Sequence, residues 1–424
     1  MNVKGTRDFL PEEMILRQQV LEKIKSVFEI FGFQPLETPA LESWEVLSAK
    51  GAGGPEILKE TYNFEDLGGR RIGLRFDLTV PLARVIASNP NLNLPFKRYQ
   101  IQNVWRYGDI AKDRFREFLQ ADIDIVGSES MLADAEIIAC TISVLTELGF
   151  KDFIVRLNNI KILAALGKNS GVPEEKIPDM CRAIDKFNKI GKSGVEKELT
   201  EKGFSTDATA TILETILKNI KIKGKFDFKE LEKLPEYKKG VEELEQIVSY
   251  LKQMKVEPKF KIDLSLARGL DYYTGPIFEV FAEEGIGSIA GGGRYDKMIG
   301  LFSGKDISAT GISFGIERII EVMKERKMIK TKKSNTKVFV IAVNDKLRDK
   351  ILEIVQTLRN NSISTDFDLR SRSLSKQLDH ANSLGIPNVV IVGEKELKNN
   401  SVKLKKMDTG REISLKIEDI LKSL

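Results

Sequence analysis

Apolar residues along this chain recur at two different periods, and the changes between them mark its elements. From Pro11 to Phe31, Leu16, Val20, Ile24, Val27 and Phe31 fall three or four residues apart, which gathers them on one side of a helix. Gly32 ends that helix, and an extended segment through Pro35 and Pro39 follows. Between Phe96 and Arg106 the period is two, aromatic and β-branched residues alternating with polar ones as on a pleated strand. A charged loop, roughly Tyr107 to Arg114, is too long for a tight turn, and the chain then returns as a second antiparallel strand. There Arg116, Phe118, Gln120, Asp122 and Asp124 share one face, while Phe115, Ala121, Ile123 and Ile125 take the other. A sheet face turned to water would explain the polar set. An aromatic among an arginine, an amide and two carboxylates also suits a ligand with a flat ring, an anion and a polar end.

The same patterns extend on both sides. Arg70 to Asp77 predicts a strand with Arg75 and Asp77 on one face and Leu74 and Phe76 on the other. Thr79 and Pro81 open a helix whose buried side is Leu82, Val85 and Ile86, and Asp77 and Thr79 have the residue types of an N-cap. Ser130 to Leu148 is a further helix. From about Phe153 to Pro258 the texture changes to short helices rich in lysine and glutamate, an inserted helical module with no catalytic constellation. Strands return from Ile262, with Arg268, Asp271, Tyr272 and Tyr273 at the connection between two of them. In GIGSIAGGGRYD, Gly285, Gly287 and Ala290 fit a degenerate dinucleotide pattern, but no strand–turn–helix unit follows. Gly291 to Gly293 instead mark a place where a ligand or another backbone approaches closely. ATGISFGIERIIEVM is a strand feeding a helix buried through Ile316, Ile319, Ile320 and Met323, with Arg318 in its first turn. A cation there opposes the helix dipole by roughly 0.3–1 kcal/mol unless an anion faces it. Beyond a basic stretch at Lys327 to Lys337, strands and helices alternate as βαβαβ and end in a hairpin, a small α/β domain with a parallel sheet.

Length and composition narrow the class. At 424 residues, two or three domains are expected, and 42% apolar with 30% charged residues is a soluble globular composition. The start, MNVKGTRDFLPEEM, has no signal-peptide core and no apolar run approaches 18 residues, so a cytoplasmic chain without membrane association is expected. Cys140 and Cys181 read as reduced core residues, and with His380 the single histidine no zinc cluster can be assembled. The net charge of +5 is uneven: from Lys330 onward about 19 Lys and Arg face 12 Asp and Glu. Such a segment could be a phosphate-backbone footprint or a solvated lysine-rich surface. No P-loop occurs, so a nucleotide would be gripped by arginine forks, for which Arg106, Arg268 and Arg318 are the candidates beside Phe118.

These motifs resemble the class II aminoacyl-tRNA synthetases and, within them, the histidyl-tRNA synthetases. KGTRDFLPEE with its helix and Pro39 is similar to the N-terminal start and motif 1, LRFDLTVPLAR to the segment before motif 2, the central hairpin to motif 2, and GISFGIERI to motif 3. RGLDYYTG and AGGGRYD match the two stretches specific to the histidine enzymes. The resemblance implies an α+β catalytic domain on an antiparallel sheet over residues 1–325, interrupted by the helical insertion at about 153–258. A linker at 326–337 and an anticodon-binding domain at 338–424 would follow.

The implied reaction joins L-histidine and ATP to histidyl-adenylate and pyrophosphate, then passes histidine to the 3′ end of tRNA(His), in a homodimer. By match to the family, Arg106, Arg268 and Gln120 are the catalytic residues. Arg106 would hold the α-phosphate and the histidine carboxylate, and Arg268 would supply charge that other class II enzymes take from a metal ion. Asp77, Thr79 and Gln120 would surround the α-amino group. Asp124 and Tyr273 would bind the imidazole nitrogens, with Tyr272 and Tyr295 lining the pocket. ATP would meet Arg106, Phe118 under the adenine, and Arg318 beside Mg2+; Arg114 and Arg116 are candidates for its phosphates or for the tRNA acceptor end. The chain departs from the class pattern at Gly108, where an acid is usual, and at Ala111, Lys112 and Asp113. The alternative is a non-catalytic paralogue, the regulatory subunit of ATP phosphoribosyltransferase; such proteins usually lack the anticodon domain and have eroded motifs, whereas both are present here.

Overall fold

The computed structural model describes residues 1–49, 54–110, 114–221, 228–256, 259–268, 272–282 and 287–424. It divides into two compact units, Met1–Arg7 with Glu22–Met328, and Asp8–Leu21 with Ile329–Leu424.

An eight-stranded sheet organises the first unit. Its order is Gln34–Pro35, Phe96–Trp105, Glu117–Val126, Ala309–Gly315, Ala290–Arg294, Pro276–Phe281, Ile154–Asn159 and Lys259–Ile262. The five inner pairings are antiparallel, and only the two outermost are parallel. An antiparallel sheet can pack one face and keep the other for polar groups. Here Ala121, Ile123 and Ile125 are buried on the packed side, as their alternation predicts, and Leu119 joins them, whereas Phe115, which precedes the paired strand, is only half-buried. Phe28 comes from the helix Pro11–Ile30 to lie 5.7 Å from Phe314 and 5.8 Å from Tyr99. Burying such a side chain is worth about 1.5–3 kcal/mol. Phe31, placed on the buried stripe by spacing, is only half-buried; the helix ends at Ile30, and the turn at Gly32 (φ +77°) brings Phe33 inward instead.

Two boundaries differ from expectation for physical reasons. The strand expected over Arg70 to Asp77 is a ladder only from Arg71 to Leu74, in a small sheet with Leu41–Ser43 and Asn63–Glu65. Arg75 leaves it because its buried guanidinium donates to the carbonyls of Thr38, Pro39 and Asn103 and to Gln102, tying the segment beneath the hairpin. The next backbone carbonyl, Phe76, accepts from Arg106 at 2.8 Å. Asp77 is thereby held at the sheet's polar face. The helical stretch begins at Ile160, later than expected, since Ile154–Asn159 is a buried strand of the main sheet. Among the described residues, five α-helices from Ile160–Asn169 to Pro235–Gln253 and a short 3-10 helix, Glu174–Lys176, separate it from its parallel neighbour Lys259–Ile262.

In the second unit Thr365–Phe367, Val338–Ala342 and Asn388–Val392 pair in parallel, as the βαβαβ pattern predicts. The hairpin Ser401–Lys406 and Glu412–Lys416 extends that sheet antiparallel. His380 is a packing residue, its ring edge-on to Phe339 at 5.8 Å. Among the described residues no helix is long and apolar enough to cross a membrane.

Candidate active site

The return strand Glu117–Val126 presents Gln120, Asp122 and Asp124 in succession to a cavity of about 430 Å³. All three are nearly inaccessible to water, so the polar face is no solvated surface. Strand register explains what surrounds them. Asp124 lies between Arg98 and Gly311, Asp122 between Gln100 and Ser313, and Gln120 between Gln102 and Gly315. Arg98 is wholly buried, and its guanidinium lies 2.7 Å from Asp124. The Tyr295 hydroxyl donates to the other Asp124 oxygen. A Cβ at position 311 would stand 2.0 Å from that oxygen, so Asp124 needs a glycine opposite it.

Asp77 combines two roles. Its Oδ1 accepts the Val80 N–H at 3.0 Å, capping the helix Thr79–Ser88, and it also lines the cavity with Thr79. Burial pushes the Asp77 carboxyl up to about 6 despite Arg106, and the Asp122 carboxyl up to about 7 despite Arg98. Burial raises Asp124 as well, against Arg98 and the Tyr295 hydroxyl. The floor is thus acidic, with Arg98 as its buried counter-charge.

The opposite wall carries Arg268, Tyr272, Tyr273 and the glycine strand. Six described non-glycine residues have positive φ, and Arg268 (+57°) is the one in this wall. That backbone costs about 1–2 kcal/mol, which points to a constrained position. Its guanidinium donates to Glu279 at 2.9 Å and lies over the Tyr273 ring at 5.5 Å. It crosses Gly291 so closely that a Cβ there would be 1.8 Å from Nη1. A Cβ on Gly292 would meet the Gly311 carbonyl at 2.0 Å. Gly291 therefore admits a side chain and Gly292 a neighbouring backbone, and a Cβ on Gly293 would stand 2.7 Å from the Pro276 carbonyl. Asp271 and Gly285 lie outside the described residues.

A second cavity of about 290 Å³ adjoins the first, and Arg106, Arg114, Ser288 and Gly315 line both. Its own walls include Phe118, Glu317 and Arg318. Arg106 lies over the Phe118 ring at 5.4 Å, and Arg318 donates to the Ser288 carbonyl at 2.6 Å. Among the described residues no group of three or more acidic, histidine or cysteine side chains could hold a metal. Magnesium needs only one or two carboxylates when phosphates complete its shell, and the carboxylate of the second cavity is Glu317, whose two oxygens each lie 3.2 Å from the Leu119 N–H. Arg114 reaches Glu60 at 3.9 Å, whereas Arg116 enters neither cavity: its guanidinium stacks on Tyr107 at 3.6 Å. Ala111, Lys112 and Asp113 lie outside the described residues.

The family model described as histidyl-tRNA synthetase matches residues 5–319. The chain belongs to the histidyl-tRNA synthetase family. A second model, an anticodon-binding domain, matches residues 337–424. Curated relatives include histidine–tRNA ligase 1 of Bacillus cereus, 40% identical and covering 100% of this chain and 99% of its own length. The histidine–tRNA ligase of Korarchaeum cryptofilum is 41% identical over 99% and 97%. The crystal structure of histidyl-tRNA synthetase from Nostoc sp. PCC 7120 superposes with a TM-score of 0.83 at 32% identity, covering 100% and 99% of the two chains. The structure of an ATP phosphoribosyltransferase regulatory subunit/histidyl-tRNA synthetase from Bacillus halodurans shares the fold, with a TM-score of 0.75 at 22% identity.

For this synthetase-family chain, the structure gathers Asp77, Thr79, Arg106, Arg114, Gln120, Asp124, Arg268, Tyr272, Tyr273 and Tyr295 in the first cavity and Phe118 and Arg318 in the second. Sequence reasoning missed Arg98 and Glu279, the charge partners of Asp124 and Arg268, and Asp185, which the helical insertion brings to the first cavity. Arg98 had a signal: it faces Asp124 once the hairpin is paired in register.

Proposed function

We propose that this chain is a histidine–tRNA ligase. The observation that carries the reading is the pair of adjoining cavities, one floored by acids and one walled by Phe118 and Arg318, with Arg106 in both. An amino acid fits the first with its ammonium on the acidic floor, and a nucleotide fits the second with its base on Phe118. The carboxylate and the α-phosphate then meet at Arg106. The names of the relatives support histidine as the amino acid.

In the first step a carboxylate oxygen of histidine attacks the α-phosphorus of ATP. The bond from that phosphorus to the bridging oxygen breaks, and pyrophosphate leaves with the electron pair. Two anions approach, so the chief requirement is fixed positive charge around the phosphorus. Arg106 and Arg268 supply it from two sides, Gln120 orients the amino-acid end, and Arg318 holds the far phosphates. Arg114 stands at the junction and serves the phosphates or the tRNA end. Magnesium would enter with ATP, neutralising its phosphates next to Glu317. In the second step a hydroxyl of the 3′-terminal adenosine of tRNA(His) attacks the histidyl carbonyl carbon and AMP departs. Asp124, held between Arg98 and the Tyr295 hydroxyl, takes one imidazole N–H, and Tyr273 serves the other nitrogen. Burial pushes the Tyr273 hydroxyl up, which keeps it a proton donor.

The proposal extends to organisation. Residues 1–325 form the catalytic body with its helical insertion, 326–337 a linker and 338–424 the anticodon-reading domain. The protein works in the cytoplasm as a homodimer, for which the exposed Leu41 and Phe64 of the small sheet offer apolar contact area. Histidine-dependent exchange of labelled pyrophosphate into ATP tests the activity: strong exchange that other amino acids do not support is expected. Its absence would favour the regulatory-subunit alternative, whose fold the Bacillus halodurans structure shares.

A further inference from the structure

Asp122 has no part in the mechanism above, yet it stands between Gln120 and Asp124 on the same strand face and lines the same cavity at 3% exposure. Three side-chain acceptor atoms of that cavity are buried without a hydrogen-bond partner: Asp77 Oδ2, Gln120 Oε1 and Asp122 Oδ1. Asp124 Oδ2 does not join them, because Arg98 lies 2.7 Å away. Buried acceptors are rarely left unmatched in a folded protein, and those that are call for an explanation. An ammonium group presents three N–H donors and no acceptor, which complements this set in number and in charge.

Resting on the reading of the cavity as an amino-acid site, we propose that Asp122 is a specificity-determining residue, the third acceptor for the α-ammonium group of the substrate. Thr79, expected in that role, lies at the start of its helix, while Asp122 projects from the floor itself. The groups facing Asp122 set its proton balance. Asp124 and Asp77 oppose its ionisation, Arg98 and the Ser313 hydroxyl favour it, and the facing Gln100 is neutral. Burial dominates, so Asp122 holds a proton for much of the time near neutrality in the absence of substrate. Docking an ammonium against it ionises the carboxyl, and the proton passes to solvent.

Calorimetric titration of the full chain with two ligands tests this. Histidine carries the amino group; 3-(imidazol-4-yl)propanoate has the same ring and carboxylate without it. Asp122→Asn keeps the shape and removes the charge. It is expected to weaken histidine about tenfold to a hundredfold, the range of one hydrogen bond to a charged group, and to leave the amino-free ligand within about twofold. Equal losses for both ligands, or unchanged histidine affinity, would overturn the assignment. Should Asp122→Asn fail to fold, Asp122→Ser, which also keeps an oxygen acceptor and drops the charge, is measured in its place with the same two expectations and the same refuting outcomes. A wild type that binds neither ligand overturns the underlying reading and this inference with it. A wild type that binds both alike overturns the inference alone.

Discussion

Gly291→Ala should leave the fold standing and cripple the first chemical step. A Cβ at this position would lie 1.8 Å from Arg268 Nη1 and 3.0 Å from its Cζ. Ordinary carbon–nitrogen contact needs about 3.5 Å, so the guanidinium must retreat by roughly 1.5 Å, losing its 2.9 Å bond to Glu279. The atom displaced is the end of a flexible side chain. Gly291 has no positive φ, so alanine suits its strand backbone. The cost to stability should therefore be about 1 kcal/mol, near that of a modest overpacking. The cost to catalysis is larger. A misplacement of about 1 Å removes roughly 10²-fold, and loss of one preorganised charge donor about 10²–10³-fold. Pyrophosphate exchange at saturating histidine and ATP should fall about 100-fold, with KM for histidine changing much less. Because the effect runs through Arg268, adding Arg268→Ala should cost little more than either change alone. Wild-type exchange by Gly291→Ala would refute the argument, and so would fully multiplicative losses in the double variant.

Two further outcomes follow from the buried charges. Asp77 and Asp122 have folded values of about 6 and about 7, above the ordinary 3.8, so the stability they contribute is fully present below about pH 4 and is lost as pH rises through 6 to 7. Without substrate, unfolding free energy should fall by a few kcal/mol between pH 5 and pH 8. Urea unfolding at stepped pH measures this, and a curve rising over the same range would contradict it. Arg98→Met removes the wholly buried partner of Asp124 and should cost about 3–5 kcal/mol at pH 8, the usual cost of stranding a buried charge. The loss should shrink at pH 5, where the floor acids take up protons; an equal loss at both pH values would show that Arg98 acts by packing alone.

What could be read from the chain beforehand depended on how local each signal was. The polar face of Glu117–Val126 follows from alternation within one strand, so Gln120, Asp122 and Asp124 could be grouped without coordinates. Arg98 required the register across a charged loop whose length does not fix it, since a shift of one residue would turn Arg98 to the packed side. The glycine run announced a close approach, but its occupants, Arg268 and the Gly311 carbonyl, come from distant segments. Composition merges Ile154–Asn159 with the helical stretch because lysine-rich neighbours dominate it, although Val155 to Asn159 are buried in the sheet. Arg116 shares the parity of Phe118 and Gln120 but lies just before the paired strand, where the backbone bonds to Gly5 and the guanidinium turns onto Tyr107. Periodicity holds only as far as the ladder does.

The placement of charge also bears on how such a site would choose and orient an amino acid. The acidic floor repels phosphates and draws an ammonium, while Arg106 at the junction and Arg268 in the first cavity's opposite wall draw a carboxylate. A substrate bearing both ends can lie in only one sense along the strand, with its carboxylate where the α-phosphate would arrive. On the proposed reading its side chain then points to Asp124. Arg98 and the Tyr295 hydroxyl occupy that carboxylate from behind, so an N–H from the ligand completes it. A ring of similar size without a nitrogen would leave a buried acceptor facing carbon, and sites built this way reject such analogues by about 10⁴–10⁵-fold. The charge that destabilises the empty floor is therefore the charge that selects its occupant. If exchange with phenylalanine came within about a hundredfold of exchange with histidine, this account of selectivity would be wrong even if the protein proved to be a ligase.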